Sequence, residues 1–430
     1  MLIRRRGWIL IALALLAATT ASLYWISRPA RVAHLLLDRI GSALGLEISA
    51  SGATEYRLRG TPMLVLRNVV AREPGAANPV LRADRIYLTL PWSTIRDRGG
   101  DLRVKRVELD RPALDLAALQ RWRKSRPPSG ETRIPTLTDG LRITDGSLVA
   151  GGSGGGWRID GIGLDLPSLY PDRPLRARVQ GRYFDAPLTA PFALAVVLDS
   201  PRALLTDATT AFSATGNVSI DRGDWRMPAQ ITLSGPVRWN AAGLTVTPAN
   251  FGMAASYDAG QIRVPFALGL HGPLGFQRAT WTIAPAGLSL RGRGEISQDP
   301  VPTLVAHGAL ALGQRLALQL DGVIAAWPQA WPALPSPLGQ SRSPLPFLLR
   351  YDGAPDGSDI AALQLRRDAT RFEGRFHLPQ VLSWSKAAAT GTPLPPIDGR
   401  LTTPRVLIAG AMLEGVEIDF EDDAVAPSTR

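Results

Sequence analysis

The chain contains no cysteine, which excludes a disulfide framework, a thiolate metal site and a thiol nucleophile. Histidine is scarce: His34, His271, His307 and His377 are the only four, and they lie far apart, without the spacing of a metal motif such as HExxH. His271 and His307 read as solvated residues at strand ends. No Walker A loop or dinucleotide-binding fingerprint is present. Gly151-Gly152-Ser153-Gly154-Gly155 matches G-x-S-x-G in form, but no helical sequence follows it, as a nucleophile elbow requires. Glu421, Asp422 and Asp423 form the densest carboxylate group and sit in a polar tail, where a solvated acidic run is the simplest reading. These absences predict a protein that is not an enzyme, with no catalytic residue, no metal and no cofactor.

Lysine is also nearly missing. Lys105, Lys124 and Lys386 are the only three, so arginine supplies almost all of the formal net charge of +11. The arginines are scattered, and no basic stripe alternates with aromatics as a nucleic-acid groove would need. Nucleic acid is therefore not an expected partner. A weak attraction to anionic lipid surfaces is the better use of such an excess.

One long uncharged run is present. Residues Gly7 to Ile26 read GWILIALALLAATTASLYWI, and a helix of about 20 residues spans the roughly 30 Å hydrocarbon layer. Leu13 and Leu16 lie within it, and Trp8, Tyr24 and Trp25 stand where interfacial aromatics belong. Arg4, Arg5 and Arg6 precede the run, so the positive-inside rule puts the N-terminus in the cytoplasm and the rest of the chain across the membrane. The competing reading is a cleaved signal peptide with Thr19-Thr20-Ala21 near its cleavage site. The run exceeds the usual apolar core of about 7–15 residues, which favours a retained single-pass anchor.

Glycine (42) and proline (36) are frequent and hydrophobic residues make up 45% of the chain, a balance suited to many short strands joined by turns. Pro29 to Leu46 reads as the one other helix: Ser27 can cap it, and Val32, Leu36, Ile40 and Leu44 form an apolar face. From about Glu47 the period changes from 3.6 to 2. The expected organisation is a cytoplasmic basic stub (1–6), the anchor (7–26), an amphipathic helix (27–46) and a β-rich region (47–326). A proline-rich loop (327–346), further strands of the same sheet (347–420) and a flexible tail (421–430) complete it. Six prolines in 327–346 rule out a central strand there.

The clearest alternation runs from Gln261 to His271, with Ile262, Val264, Phe266, Leu268 and Leu270 on one face. Pro265 interrupts it, so that strand is expected at an edge or bulged. Leu316, Leu318 and Leu320 repeat the pattern. Asp-Gly pairs beginning at Asp139, Asp145, Asp160, Asp321, Asp352, Asp356 and Asp398 read as hairpin turns. Strand-length priors give about 25 strands in a meander. Periodicity alone leaves two architectures open: an ordinary two-layer β core, or a single sheet whose apolar face is bare.

Several segments are similar to the AsmA-like family of bacterial inner-membrane-anchored envelope proteins. They are the anchor and the helix that follows it, then TPMLVLRNVVAREPG (Thr61 to Gly75), RADRIYLTLPWSTIR (Arg82 to Arg96) and DLRVKRVELDRPALDL (Asp101 to Leu116). Within the last, Val107, Leu109, Pro112, Leu114 and Leu116 carry the family's proline-containing phrase. Thr138-Asp139-Gly140 and Thr144-Asp145-Gly146 resemble its recurring turns, and Ile397 to Phe420 resembles its closing strands. The resemblance implies a mainly β fold in which a long curled antiparallel sheet forms an open, taco-like trough with an apolar inside. It further implies a periplasmic main domain acting in lipid transport or outer-membrane assembly, with phospholipid or another envelope lipid as partner. Groove lining would then fall to Ile262, Val264, Phe266, Leu268, Leu270, Leu316, Leu318 and Leu320. The alternative is an envelope scaffold binding protein partners, similar to the small N component of type II secretion systems.

Overall fold

The computed structural model describes residues 41, 45–51, 55–57, 60–96, 103–125, 134–151, 156–240, 242–278, 280–294, 300–329, 334, 338–339, 341, 343–387, 396–408 and 411–421. The protein is mainly β: strands make up 66% of it, and the described residues contain 25. The expected anchor, with Trp8, Leu13, Leu16, Tyr24 and Trp25, lies outside the described residues. No described helix is long and apolar enough to cross a membrane. Of the helix expected over 27–46, only the end is described. Gly41 is helical, Gly45 takes φ +54, and the Leu46 N–H donates to the Gly41 carbonyl at 2.8 Å. That is a Schellman stop, in which a left-handed glycine turns the chain out of the helix. The first strand begins one residue later, where the sequence period changes.

The chain divides into two compact units, Met1–Ala195 and Val196–Arg430. The strands of the first are β1 (Glu47–Ala50), β2 (Glu55–Arg57), β3 (Met63–Arg72), β4 (Leu81–Thr89), β5 (Arg103–Val104) and β6 (Arg106–Asp110). They continue with β7 (Ala113–Asp115), β8 (Thr136–Leu137), β9 (Leu141–Val149), β10 (Arg158–Leu166), β11 (Leu175–Asp185) and β12 (Leu188–Leu198), the last running past the unit's end. Strands β1 and β2 pair with β3, β3 with β4, and β4 with β6 and β7, all antiparallel. Leu66 and Val69 form a small core with Ile48, Ala50, Leu64 and Ile86.

The expectation of a purely antiparallel sheet needs correction. Strands β6 and β7 pair with β9 in parallel, as β5 does with β8, so the sheet is mixed. Parallel neighbours need a crossover connection, commonly through a helix. Here α2 (Leu116–Lys124) supplies it, after the short α1 (Trp92–Arg96). Asp115 Oδ1 caps α2 by accepting from the Ala118 N–H at 2.9 Å, and Arg121, Arg123 and Lys124 in its last turn suit the negative end of its dipole. A third helix, α3 (Leu378–Ala387), falls in the second unit. The sequence reading foresaw none of the three.

The second unit holds β13 (Thr210–Asp221), β14 (Arg226–Asn240), β15 (Gly243–Ala259), β16 (Ile262–Gln277), β17 (Thr280–Ile283), β18 (Gly287–Gly292) and β19 (Thr303–Leu312). After them come β20 (Leu316–Ala326), β21 (Leu345–Gly353), β22 (Ile360–Arg367), β23 (Thr370–His377), β24 (Asp398–Ile408) and β25 (Ala411–Phe420). From β13 to β25 each strand pairs antiparallel with the next, with β17 and β18 sharing the place between β16 and β19. This is the meander that the alternation predicts. Pro265 sits inside β16 rather than at an outer edge. Its carbonyl accepts from Arg293, just past the end of β18, so the missing N–H falls on the side where the neighbouring ladder has run out.

Most Asp-Gly pairs are not hairpin turns. Asp145-Gly146 lies inside β9, Asp160-Gly161 inside β10, Asp321-Gly322 inside β20, and Asp398-Gly399 opens β24. Asp145 (φ +54) and Gly161 (φ +63) use their tolerance of positive φ for bulges, where the β9–β10 register shifts. Asp139-Gly140 joins β8 to β9, which do not pair with each other, and Asp352-Gly353 ends β21; Asp356-Gly357 connects the paired strands β21 and β22 as expected, with φ +76 at the glycine.

Candidate functional site, an apolar sheet face that is only partly covered

Side chains of directly paired residues project from the same face of a sheet. In the second unit this rule gives one long row. Ala214 on β13 pairs with Leu233, Leu233 with Phe251, Phe251 with Leu270, and Leu270 with Leu288. Leu288 pairs with Ala306, Ala306 with Gly322, Gly322 with Phe347, and Phe347 with Leu365. Leu365 pairs with Phe372, Phe372 with Leu401, and Leu401 with Ile418 on β25. No polar side chain interrupts the row. Period-2 alternation within each strand, held in register across strands, accumulates its apolar residues on one continuous face.

The C-terminal part of that face is covered. Leu338, from the proline-rich segment, is buried in a cluster with Leu345, Phe347, Leu365 and Leu401, while Leu334 and Trp327 rest on its border. Leu345 is 0% exposed. The Arg367 guanidinium holds this segment down by donating from Nη1 to the Leu338 carbonyl at 2.6 Å and the Ser341 carbonyl at 3.0 Å. Helix α3 supplies a second cover, placing Val381 against the cluster of Tyr351, Ala361 and Phe376. The segment expected as a proline-rich loop is thus, in its described residues, a cover formed by Leu338 and its neighbours over β19 to β24.

The N-terminal part is closed over only in places: Val237, Val246 and Ala249, in register with Leu274 and Gly272, are buried. Among the described residues, neither cluster reaches β13 to β16. Phe251 and Met253 on β15, and Val264, Phe266, Leu268 and Leu270 on β16, are half-buried, shielded mainly by their own cross-strand neighbours. Ile262, at the start of β16, is 54% exposed. The eight residues singled out from sequence therefore share a face but not an environment. The five on β16 stand uncovered, whereas Leu320 borders the Leu345 cluster and Leu316 and Leu318 border the Tyr351 cluster. Phe251, Met253, Leu233 and Ile231 belong to the same uncovered face and were missed. Their signal was present in β14 and β15 but masked by a register shift between Ser234 and Val237, and by another between Val246 and Ala249.

The opposite face carries the polar side chains. Asn250 pairs with His271, and His307 with Asp321, so both histidines sit within strands rather than at their ends. His271 Nδ1 lies 2.7 Å from Asn250 Oδ1 in an exposed position. No group of three or more metal-ligating side chains occurs among the described residues. Comparison with known proteins gives no match: no family model, no curated protein and no solved structure is similar to this chain.

Proposed function

We propose that this is an inner-membrane-anchored periplasmic protein that holds the acyl chains of a phospholipid or other envelope lipid, acting in lipid transport or outer-membrane assembly. The observation that carries the reading is the half-buried apolar surface that Phe251 and Met253 on β15 and Val264, Phe266, Leu268 and Leu270 on β16 present outside both clusters, continuous in register with the covered surface beyond it. A second layer would normally hide such a surface. Burying a methylene stabilises by about 0.8 kcal/mol. An acyl chain of about 16 carbons lying on an open face, with about half its surface shielded, gains roughly 6 kcal/mol. That is enough to retain a lipid and too little to trap it. Similar side chains on every strand keep the cost of sliding low, so passage along the face needs no catalytic group. The AsmA-like segments and the Gly7–Ile26 run support the envelope location.

The reading is tested by purifying the full chain and the Phe266→Asp, Leu268→Asp double variant, then measuring bound lipid after extraction. The wild type carries phospholipid and the variant loses most of it. A wild-type protein free of lipid contradicts the proposal. Intact mass of the mature protein tests the anchor separately, since a product beginning after Ala21 would show that the run is cleaved.

A further inference from the structure

The apolar face ends, along one side, in a second register row. Trp239 pairs with Leu244, Leu244 with Phe276, Phe276 with Trp281, Trp281 with Leu312, and Leu312 with Leu316. These residues stand beside the turns joining β14 to β15, β16 to β17, and β19 to β20. Trp239 is 53% exposed and Trp281 43% exposed, and Leu312 is likewise exposed. The Phe276 and Trp281 rings lie 4.6 Å apart, tilted by 40°.

We propose that this rim docks on the surface of a phospholipid bilayer. Indole rings are amphipathic and favour the headgroup boundary, where the ring contacts acyl chains and the N–H contacts water or headgroups. Placing Trp281 beside Leu312, and Trp239 further along the same row beyond Phe276 and Leu244, at strand ends suits shallow insertion. The charges agree. The three turns, residues 240–243, 278–279 and 313–315, carry Arg278 and Arg315 and no carboxylate. Arg315 is paired with Asp352, while Arg278 is exposed and has no ion pair among the described residues. An unpaired guanidinium beside exposed indoles suits an anionic headgroup. The opposite side of the same strands is built differently. There the Trp225 and Tyr257 rings lie 5.7 Å apart, and Arg226 and Arg263 share the Asp258 carboxylate at 3.9 and 3.3 Å. Docking by the tryptophan rim would bring the half-buried apolar face of β15 and β16 to the lipid boundary. The inference goes beyond lipid carriage, because docking needs only the rim.

The absence of cysteine makes a clean test possible. Leu312→Cys and His307→Cys are introduced singly into the full chain, labelled with an environment-sensitive fluorophore and reconstituted into phosphatidylcholine–phosphatidylglycerol vesicles. Nitroxide-labelled lipid is supplied either in the same vesicles or in a second, added population. The label at 312 is quenched in at least one arrangement, the label at 307 on the polar face is not, and Trp239→Ser with Trp281→Ser weakens the quenching about tenfold. Leaving out phosphatidylglycerol weakens it further. No quenching at 312 in either arrangement, or equal quenching at 307, overturns the proposal. A protein that loses its bound lipid but keeps the quenching at 312 counts against the groove and not against the rim.

Discussion

Arg367 reaches the carbonyl oxygen of Leu338, 29 positions earlier in the chain, at 2.6 Å, and by that bond the proline-rich segment is fastened over the apolar face. Its Nε is buried without a partner among the described residues, while Nη1 serves two carbonyls. Arg367→Met is therefore expected to loosen the cover while leaving the strands folded. Hydrogen exchange at residues 338–345 should accelerate, and binding of a hydrophobic dye should rise. Unchanged exchange there would show that Leu338 alone holds the segment.

The covered and uncovered parts of the face should differ in what they contribute to stability. Leu401 and Phe347 are closed over by other groups. Truncating either to alanine should cost about 3 kcal/mol, the range for a filled core position. Phe266→Ala should cost about 1 kcal/mol or less, since half of that side chain's burial never forms in the first place. Urea unfolding of the three variants checks this. Equal losses would mean that β16 is covered as tightly as β24.

Much of this was legible in the sequence, and the parts that were not have a common cause. The alternation from Ile262 to Leu270 announces a strand, because each residue's exposure is set locally by the pleat. The meander follows from many such strands joined by short connections. What lies over a strand is decided by distant chain, and no period within β20 reports that Leu334 and Leu338 will settle on β19 to β24. The parallel pairing of β9 likewise depends on where α2 carries the chain. Asp-Gly pairs misled because tolerance of positive φ serves a bulge inside β9 or β10 as well as a hairpin turn. The rim was hidden for another reason: Trp239, Phe276 and Trp281 become neighbours only through the register of three ladders.

One buried polar contact offers a directional test. Thr370 Oγ1 and Thr403 Oγ1 lie 3.0 Å apart, both buried, and Thr403 Oγ1 also lies within reach of the Arg405 carbonyl at 3.1 Å. If Thr403 donates to that carbonyl, it accepts from Thr370. Thr403→Val then leaves the Thr370 hydroxyl without its acceptor and costs about 1–3 kcal/mol, whereas Thr370→Val removes only a donor and costs about 1 kcal/mol or less. Thermal or urea unfolding reads the difference. The reverse order would mean that the hydroxyl hydrogens point the other way.

Acid should weaken the attachment of residues 201–207 to β14. Asp207 receives Arg238 Nε at 2.7 Å and Nη2 at 3.0 Å, and those hydrogen bonds, with the guanidinium charge, hold its carboxyl below the ordinary carboxylate value. A depressed carboxylate contributes stability that is present above its unfolded value and lost as pH falls through its folded value. The wild type should therefore exceed Asp207→Asn in melting temperature at neutral pH, with the gap closing below about pH 4. The effect is small, because the pair is exposed. A gap that persists in acid contradicts the assignment.

The most direct test of the account is photo-crosslinking of the full chain in its native envelope. A benzophenone amino acid is placed at Leu268 on the uncovered face, at His271 on the polar face of the same strand, and at Leu345 beneath the cover. The account predicts lipid adducts, read by mass spectrometry, from position 268 and none from 271 or 345. Adducts absent at 268, or found equally at 271, would contradict it.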